Sequence, residues 1–411
     1  MSKLEEMLKY VSEHNDFYKN IIREHNITDP TDITQYPILT RQQLQENRYN
    51  MFSDGYKTKY FNQQLRRQSS SGSSGVPVNV YWDYKDWYAS NMSLWRKRLQ
   101  WYEIKPSDKY VMFTLNAFNI KSNDDSIFYI NERPNVLLVN VSLIKNDSGY
   151  EELTKIIHQF APNWLYIQPF VLKKMIQAYE RTGIVPPKTL RYIESVGELL
   201  PSDLKRRAVD FFSVQLANMY GSEEMNGIAY ECHDHHMHVL YDNIYLEVKN
   251  NNGIHRSGEG NAIITNLNNM SMPLIRYNQE DIIILGNDIN CPFGNSLIIS
   301  VMKGRNLESI MISDKTEINE FILLEVMAEV GNQFDGIILA YRYIYRESSK
   351  SLRCYISISK QRELWFCSIK KAIEKTLAKK ISLPRELSFL VEKDDISQLY
   401  GRKRKILEVI Q

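Results

Sequence analysis

The chain is organised around one hydroxyl-rich stretch, Ser69-Ser70-Ser71-Gly72-Ser73-Ser74-Gly75-Val76-Pro77. Glycines let backbone amides approach a ligand closely, successive N–H groups in a turn bind anions, and serine hydroxyls add further donors. A flexible linker has a similar composition. This stretch, however, ends on proline and runs directly into a strand pattern, Val78 to Trp82, and then a helix pattern, Tyr84 to Trp101. Because no Gly-Lys-Ser/Thr follows, it is not a Walker loop. We name it the hydroxyl loop and predict that it holds a triphosphate.

The composition is typical of a folded protein with more than one domain. The chain has 411 residues, of which 43% are hydrophobic and 24% charged, and this length exceeds one ordinary core. A formal net charge of +2 predicts no general attraction to nucleic acid or an anionic membrane. No apolar run is long enough for a signal or a membrane span, and four cysteines form no disulfide framework. We therefore expect a cytoplasmic protein, either a monomer or a homodimer.

Strand and helix patterns alternate along the first half of the chain. Lys109–Thr114 and Asn135–Val141 resemble buried strands of a parallel sheet. Trp164–Ile167 is a further strand candidate between the helical patterns Glu151–Phe160 and Val171–Thr182. This alternation is typical of an α/β domain.

The pattern changes after residue 239. Short strand candidates separated by Gly/Asn turns predict a β-rich subdomain; they are Ile244–Val248, Ala262–Thr265, Leu274–Tyr277 and Ile282–Leu285. Strand and helix patterns after Gly304-Arg305 predict a small α+β domain. We therefore expect an α/β fold with a large N-terminal domain over residues 1–303 and a small C-terminal domain over residues 304–411.

A second candidate site follows the strand pattern Leu216–Met219. The strand would present Tyr220-Gly221-Ser222-Glu223-Glu224 at its C-terminal end, where ligands bind in open α/β sheets. A glycine beside an aromatic ring and followed by carboxylates suits a nucleotide base and a metal-binding acid. An ordinary polar loop before an acidic helix start fits these five residues equally well. Arg276 and Asp281 flank a turn that could reach the same nucleotide.

Several stretches resemble, in chain order, the motifs of the adenylate-forming superfamily of acyl- and aryl-CoA synthetases. The resemblance is closest to the phenylacetate–CoA ligase-like branch, which includes capsule-biosynthesis adenylating proteins, and it covers almost the whole chain. The hydroxyl loop is similar to the family's Ser/Thr-Ser-Gly-Thr-Thr-Gly-x-Pro. The other matching stretches are Tyr36-Pro37-Ile38-Leu39-Thr40-Arg41, Gly197-Glu198, Tyr220-Gly221-Ser222-Glu223-Glu224, Gly258-Glu259 through Thr265 to Asp281, and Gly304-Arg305.

The resemblance implies a ligase that activates a small carboxylic acid. In that family the carboxylate attacks the α-phosphorus of ATP, giving an acyl-adenylate and pyrophosphate, and a thiol or amine then displaces AMP. Such a transfer needs charge stabilisation and in-line positioning more than a nucleophilic side chain. The implied cofactors are ATP and Mg²⁺. The implied acceptor is coenzyme A, a carrier-protein thiol or an amine, and only the branch suggests that the acid is aromatic.

The resemblance also implies roles for individual residues. The β- and γ-phosphates would be held by Ser70, Ser71, Gly72, Ser73, Ser74 and Gly75 of the hydroxyl loop. Tyr220 would contact the adenine, Asp281 would accept hydrogen bonds from the ribose, and Glu224 would ligate Mg²⁺. Arg305 would lie near the ribose and phosphate, and the small mobile domain would swing about this position. The remaining residues expected around the nucleotide are Gly197, Glu198, Gly221, Ser222 and Glu223.

The chain departs from the family pattern at several positions. Glu223 replaces the Ser/Thr that the family directs at the AMP phosphate, and Glu280 replaces the glycine before Asp281. Near the C-terminus, Arg402 stands where the family has a catalytic lysine, and Lys403 follows it. Arginine keeps the charge but presents it as a planar fork. We expect Arg402 and Lys403 to be catalytic cations; a solvated basic tail is the alternative.

A cysteine- and histidine-rich segment, Cys232-His233-Asp234-His235-His236-Met237-His238, suggests a metal site. Some members of the branch pair Cys-x5-His with Cys-x-Cys-Gly to hold a structural zinc. Cys232 and His238 fit the first half and Cys291 fits the second, but Phe293 stands where the last thiolate would be. A tetrahedral zinc site would therefore need His235 or His236 as well. The alternative is a polar hairpin with a buried thiol.

Three functions remain open. The first is the full ligase just described. The second is a nucleotide-binding relative that has lost turnover and acts as a binding or regulatory partner. The third is a structural subunit of a biosynthetic complex that keeps the fold but does not use the pocket.

Overall fold

The computed structural model describes residues 2–69, 79–114, 129–141, 144, 147–286, 291–294, 297–305, 310–313, 316–318, 323, 326–327, 330, 333–334, 337–358, 360–380, 384, 386–394 and 407–410. The chain divides into two compact units: Met1–Ser107 with Ser195–Gly197 and Ala217–Lys303, and Asp108–Glu194 with Glu198–Leu216 and Gly304–Gln411. The division into domains 1–303 and 304–411 stays a prediction.

The described residues form helices and strands with the following bounds. The helices are α1 (Lys3–His14), α2 (Asp16–Glu24), α3 (Arg41–Glu46), α4 (Tyr56–Phe61), α5 (Tyr84–Tyr102), α6 (Asp147–Phe160), α7 (Pro169–Thr182), α8 (Ser202–Phe212) and α9 (Phe366–Lys380). The strands are β1 (Arg66–Ser69), β2 (Asn79–Trp82), β3 (Tyr110–Thr114), β4 (Tyr129–Arg133), β5 (Val136–Asn140), β6 (Trp164–Ile167), β7 (Tyr192–Val196), β8 (Gln215–Ser222), β9 (Asn226–Glu231), β10 (Met237–Val239), β11 (Ile244–Asn250), β12 (Gly253–His255), β13 (Gly258–Asn266), β14 (Tyr277–Gly286), β15 (Ile298–Arg305), β16 (Ile310–Ser313), β17 (Thr316–Ile318), β18 (Ile338–Arg346), β19 (Ser351–Ile358), β20 (Ser388–Lys393) and β21 (Leu407–Ile410). Short 3₁₀ turns cover Ile33–Gln35 and Lys360–Trp365.

The N-terminal helices of the first unit begin at side-chain caps. Ser2 and Glu5 form a capping box at α1, and the Asn15 side chain accepts a hydrogen bond from the Tyr18 amide and so starts α2. These bonds satisfy backbone donors that a helix start leaves unpaired. The apolar face of α1 packs into a core that also contains side chains from β2, β9, β11, β13 and β14.

A mainly antiparallel sheet forms the β-rich part of the first unit, in the order β12-β11-β13-β14-β15-β10-β9-β8. It contains the strands predicted at Ile244–Val248, Ala262–Thr265 and Ile282–Leu285. The prediction of a strand over Leu274–Tyr277 is wrong. The strand β14 begins only at Tyr277, because Arg276 before it adopts a left-handed conformation with φ 50°, which does not fit a β-ladder.

The second unit contains the parallel strands expected of an α/β domain. Its strands follow the order β7-β6-β3-β5-β4, and β3 pairs in parallel with both β5 and β6. Every residue of β5 is buried. Such burial is typical of a strand covered on its faces. The apolar sides of α6, α7 and α8 complete this core.

The C-terminal segment has a hydrophobic core of its own. Its sheet follows the order β20-β19-β18-β21, and apolar residues of α9 pack with those of the sheet. The prediction of an α/β fold with a β-rich subdomain and a small C-terminal α+β part is confirmed. Within the described ranges, no helix is long and apolar enough to cross a membrane.

Candidate active site

The hydroxyl loop joins two strands that pair with each other. Strand β1 pairs antiparallel with β2, so that Ser69 and Asn79 lie opposite one another. The loop residues Ser70, Ser71, Gly72, Ser73, Ser74 and Gly75 lie outside the described residues, and their predicted phosphate contacts stay predictions. Next to the loop, the Gln68 amide donates to Glu223 Oε2 at 3.3 Å and to Asn226 Oδ1 at 3.1 Å. The start of the hydroxyl loop therefore lies beside the Tyr220–Glu224 segment.

The Tyr220–Glu224 segment ends one strand of a tight hairpin. Strands β8 and β9 pair antiparallel up to Ser222 and Asn226, so the alternative of a helix start is wrong. Asn226 has φ 59°, a left-handed conformation that asparagine tolerates in turns. At Gly221 an added Cβ would lie 2.4 Å from the Asn226 carbonyl oxygen. Glycine is therefore required there by the close approach of two backbones.

Tyr220 and Asp281 are brought into contact from distant parts of the sequence. The Tyr220 hydroxyl donates to Asp281 Oδ2 at 2.6 Å, and two residues further along β8 the Ser222 hydroxyl donates to Gln279 Oε1 at 3.2 Å. Both contacts join the end of β8 to β14. The sequence predicted that Tyr220 and Asp281 would serve one nucleotide, and the structure brings them together.

Glu224 is a buried carboxylate with one oxygen held and one oxygen available. Its side chain is 1% exposed. The Tyr277 hydroxyl donates to Oε1 at 3.3 Å, and Arg41 Nη1 lies 3.7 Å from the same oxygen. The other oxygen, Oε2, is buried without a hydrogen-bond partner in the described part of the chain. Because a buried carboxylate oxygen without a donor is unfavourable, Glu224 fits the expected role of a Mg²⁺ ligand.

Arg41 is a site residue that the sequence reasoning missed. Thr40 and Gln43 form a capping box at the start of α3, as the motif predicted for Thr40. The Leu39 amide donates to the Arg276 carbonyl at 3.0 Å, and the Asn278 amide donates to the Leu39 carbonyl at 2.9 Å. These bonds tie the segment to β14 and place Arg41 beside Glu224. Its position directly after the cap in the family-like stretch was the available signal.

Arg276 does not have the role that the sequence suggested. Its guanidinium forms a two-point pair with Glu247, with Nη2 to Oε1 at 2.7 Å and Nε to Oε2 at 3.0 Å. Its Nη1 donates to the carbonyls of Thr34 and Tyr36. A buried charge needs such partners. Arg276 therefore holds the N-terminal segment on the sheet, and its guanidinium is not directed at a nucleotide.

The other predicted residues are only partly described. Gly197, in the first unit, has φ 80°, and Glu198, in the second, accepts a hydrogen bond from the Phe170 amide at 3.3 Å. Arg305 ends β15, but its side chain is not among the described ones. Arg402 and Lys403 also lie outside the described ranges. The predicted roles of these residues stay predictions.

Four buried or partly buried donors form a cluster elsewhere in the first unit. Ligand atoms of Cys232, His236, His238 and Cys291 all lie within 4.8 Å of one another. The two sulfurs are 3.7 Å apart. Thiolates bound at about 2.3 Å to one tetrahedral zinc would be about 3.8 Å apart, whereas a disulfide requires about 2.05 Å. Burial raises the pKa of Cys232 to about 11, with Cys291 contributing. The arrangement fits a tetrahedral metal.

The structure distinguishes the two candidate histidines. His235 is turned away, with a side chain that is 71% exposed and Nδ1 3.3 Å from Glu231. His236 belongs to the cluster, and its Nδ1 is buried without a hydrogen-bond partner among the residues described. Phe293, which replaces the expected thiolate, packs against the rings of Trp101 and His233. Of the two histidines, His236 is therefore the one that lies in the cluster.

Solved structures match this chain over its whole length. The crystal structure of 2-hydroxyisobutyryl-CoA ligase in the postadenylation state, in complex with 2-HIB-AMP, is similar with a TM-score of 0.75, over 100% of this chain and 88% of that chain, at 16% identity. The chain has the fold of the adenylate-forming ligases. At this identity the likeness establishes the fold alone.

Other solved structures share the adenylate-forming fold. An open conformation of 2-hydroxyisobutyryl-CoA ligase with 2-HIB-AMP and CoA matches with a TM-score of 0.62, at 16% identity, over 100% of this chain and 90% of that chain. GH3.15 acyl acid amido synthetase matches with a TM-score of 0.62, at 12% identity, over 99% of this chain and 90% of that chain. No protein-family model and no curated protein sequence matches the chain. The resemblance seen in the sequence motifs is confirmed at the level of the fold.

Proposed function

We propose that this protein uses ATP to activate a small carboxylic acid as an acyl-adenylate and then transfers the acyl group to a thiol or amine. The single observation that carries the proposal is the arrangement at the end of β8. There Tyr220, which contacts Asp281 of β14, lies in the same hairpin as Glu224, whose buried Oε2 has no partner among the described residues. The solved structures with this fold include a ligase with a bound acyl-AMP.

In this proposal, different side chains bind different parts of ATP. Tyr220 contacts the adenine, Asp281 accepts hydrogen bonds from the ribose hydroxyls, and the hydroxyl loop holds the β- and γ-phosphates. Glu224 Oε2 holds Mg²⁺, which when bound neutralises charge on the phosphates. Ser222 and Glu223 border the α-phosphate.

The proposed chemistry requires no nucleophile from the protein. A carboxylate oxygen of the acid attacks the α-phosphorus, the bond from this phosphorus to the bridging oxygen breaks, and pyrophosphate leaves with the electron pair. Arg402 and Lys403 supply positive charge to the oxygens that gain it. The acceptor sulfur or nitrogen then attacks the acyl carbonyl and releases AMP. Gly197 and Glu198 lie beside the nucleotide, and Arg305 lies at the joint about which residues 304–411 move between the two steps.

The acceptor of the acyl group is a thiol or an amine. The neighbours in fold include a ligase captured with CoA and an acyl acid amido synthetase, which favours coenzyme A, a carrier-protein thiol or an amine. The acid is small, and the branch resemblance favours an aromatic one. We expect the protein to act in the cytoplasm, as a monomer or a homodimer.

We also propose that Cys232, His236, His238 and Cys291 hold a structural zinc. The sulfur–sulfur distance and the buried Nδ1 of His236 support it. All four positions are filled by protein, so a zinc here would be closed to substrate, as structural sites are. Its contribution would be to the stability of the first unit.

The decisive experiment is exchange of labelled pyrophosphate into ATP across a panel of aliphatic and aromatic acids. Acid-dependent exchange supports the ligase. ATP binding without exchange with any acid would favour a nucleotide-binding relative without turnover, and no ATP binding would favour a structural subunit.

The same exchange assay can tell whether Arg402 or Lys403 is the catalytic side chain. Arg402→Ala should lower exchange at least about tenfold more than Lys403→Ala, because a charge on the transferred phosphate is stabilised by about this much or more. Equal and small effects from both substitutions would remove Arg402 from the catalytic role.

Glu224→Gln should weaken the Mg²⁺ dependence of exchange, and an unchanged Mg²⁺ titration would contradict the assignment of Glu224 as a Mg²⁺ ligand.

A further inference from the structure

Arg41 and Glu224 form a buried ion pair that involves only one of the two carboxylate oxygens of Glu224. The Arg41 side chain is 8% exposed and that of Glu224 1%, and the two are 3.7 Å apart. On Glu224 the pair involves Oε1, which also accepts from the Tyr277 hydroxyl. The guanidinium therefore holds the carboxylate in place on one oxygen and leaves Oε2 available.

Burial makes this pair electrostatically strong. Charges are screened weakly where little water is present, and a buried carboxylate without its cation is strongly unfavourable. A divalent cation at Oε2 would share the carboxylate with the guanidinium. The two positive charges repel each other, so Arg41 disfavours a cation at Glu224 as long as no further negative charge is present.

A bound nucleotide would reduce the repulsion between Arg41 and a divalent cation at Glu224. The polyphosphate of ATP brings several negative charges, which can be shared between the cation and the guanidinium. The segment that carries Arg41 is fixed to β14 by the backbone bonds of Leu39, so the guanidinium remains beside Glu224 in both cases.

We propose that Arg41 is a positioning residue that makes cation binding at Glu224 depend on the nucleotide. It orients the carboxylate through Oε1, and its charge keeps a divalent cation from binding to the protein before ATP does. This inference rests on the proposed function, because it requires that ATP binds at this site.

The test measures binding of Mn²⁺ to the full-length protein by equilibrium dialysis, with and without ATP on both sides of the membrane and in the absence of any acid. Because Mn²⁺ and its ATP complex both cross the membrane, only the excess Mn²⁺ on the protein side counts as bound. For the wild type we expect Mn²⁺ to bind with ATP and at least tenfold more weakly without it. Arg41→Gln should bind Mn²⁺ without nucleotide at least tenfold more tightly than the wild type. Arg41→Met, a second neutral variant, should show the same gain, and Arg41→Lys, which keeps the charge, should not.

Matched controls distinguish an effect of the Arg41 charge on Mn²⁺ binding from an effect of misfolding. Arg96→Gln removes an arginine from an exposed pair with Asp242 at 3.4 Å and should leave Mn²⁺ binding unchanged. Adding Glu224→Gln to Arg41→Gln should abolish the gain. Circular dichroism of each variant establishes that it is folded, and Arg41→Met replaces Arg41→Gln should the latter not fold.

The outcomes distinguish the two proposals. If the wild type binds Mn²⁺ with ATP but neither neutral variant gains affinity without it, the inference about Arg41 is wrong and the proposed function stands. A gain that survives Glu224→Gln would also overturn it. If the wild type binds no Mn²⁺ with ATP, the proposed function itself is contradicted.

Discussion

If the proposed zinc is bound, replacing His236 by alanine should release it, whereas replacing the adjacent His235 should not. The two residues share the sequence neighbourhood and the side-chain chemistry. They differ in where the imidazole lies: His236 is in the donor cluster, and His235 is 71% exposed beside Glu231. His235→Ala is therefore a matched control for His236→Ala.

The expected effect on stability can be estimated from binding. A metal present at about 1,000 times its dissociation constant stabilises the folded state by about 4.1 kcal/mol. For a domain of 150–250 residues, roughly 2–4 °C of Tm corresponds to 1 kcal/mol. Chelation of the wild type, or His236→Ala, should therefore lower the Tm by about 8–16 °C, and His235→Ala should change it by no more than about 2 °C.

Zinc binding should also weaken as the pH falls. Burial raises the pKa of Cys232 to about 11, so below that pH its thiol carries a proton that must leave when the metal binds. The affinity for zinc should therefore fall by about tenfold or more per pH unit between pH 8 and pH 6. The zinc-bound form is therefore favoured at high pH, where the thiol loses its proton readily, and it is progressively lost as the pH is lowered.

The assay is metal analysis of the purified protein together with thermal unfolding before and after chelation. We expect close to one zinc per chain in the wild type and in His235→Ala, and little in His236→Ala. His236→Cys should regain the metal, because a thiolate can replace the imidazole. A wild type purified without zinc, or a His236→Ala protein with a full complement, would refute the assignment.

Further predictions concern single residues in and near the proposed nucleotide site. Glu280 has φ 65°, so Glu280→Gly should raise the free energy of unfolding by about 0.5–1 kcal/mol in urea titrations; a loss of stability would contradict this. Gly221→Ala should cost about 1–3 kcal/mol in the same titration, because the new Cβ would lie 2.4 Å from a carbonyl oxygen. Gly286→Ala, where nothing lies within 4 Å, should cost less. Tyr220→Phe removes the 2.6 Å bond to Asp281 and should weaken ATP binding several-fold in calorimetry; an unchanged affinity would show that the hydroxyl is dispensable.

Local patterns predicted much of the fold. Short apolar runs separated by Gly/Asn turns identified strands such as β11, β13 and β14, because glycine and asparagine favour the turns that end strands. The resemblance of short motifs placed Tyr220 and Asp281 in one site, and the structure joins them. The α/β class followed from the same reasoning, since strands and helices alternate in the chain.

Features that depend on pairing between distant segments were not predictable. The ion pair of Arg41 and Glu224 joins residues far apart in sequence, and no pattern of charges indicates which arginine meets which carboxylate. The choice of His236 over His235 depends on a turn in which His235 has φ 63°. Such a backbone conformation is set by the hairpin around it and is uncommon for residues other than glycine.

Two arginine–glutamate pairs lie beside the same N-terminal segment. Their different geometry indicates that one pair stabilises the fold and that the other can bind a ligand. Arg276 and Glu247 meet at two points, at 2.7 and 3.0 Å, and the arginine also binds backbone carbonyls. Arg41 and Glu224 meet at 3.7 Å on one oxygen, and the other oxygen has no partner among the described residues. A buried pair whose bonds are complete fixes the fold, because any rearrangement leaves a charge uncompensated. A buried pair that leaves one oxygen without a donor can accept a ligand at little structural cost, and this is why we place the metal at Glu224 and not at Glu247.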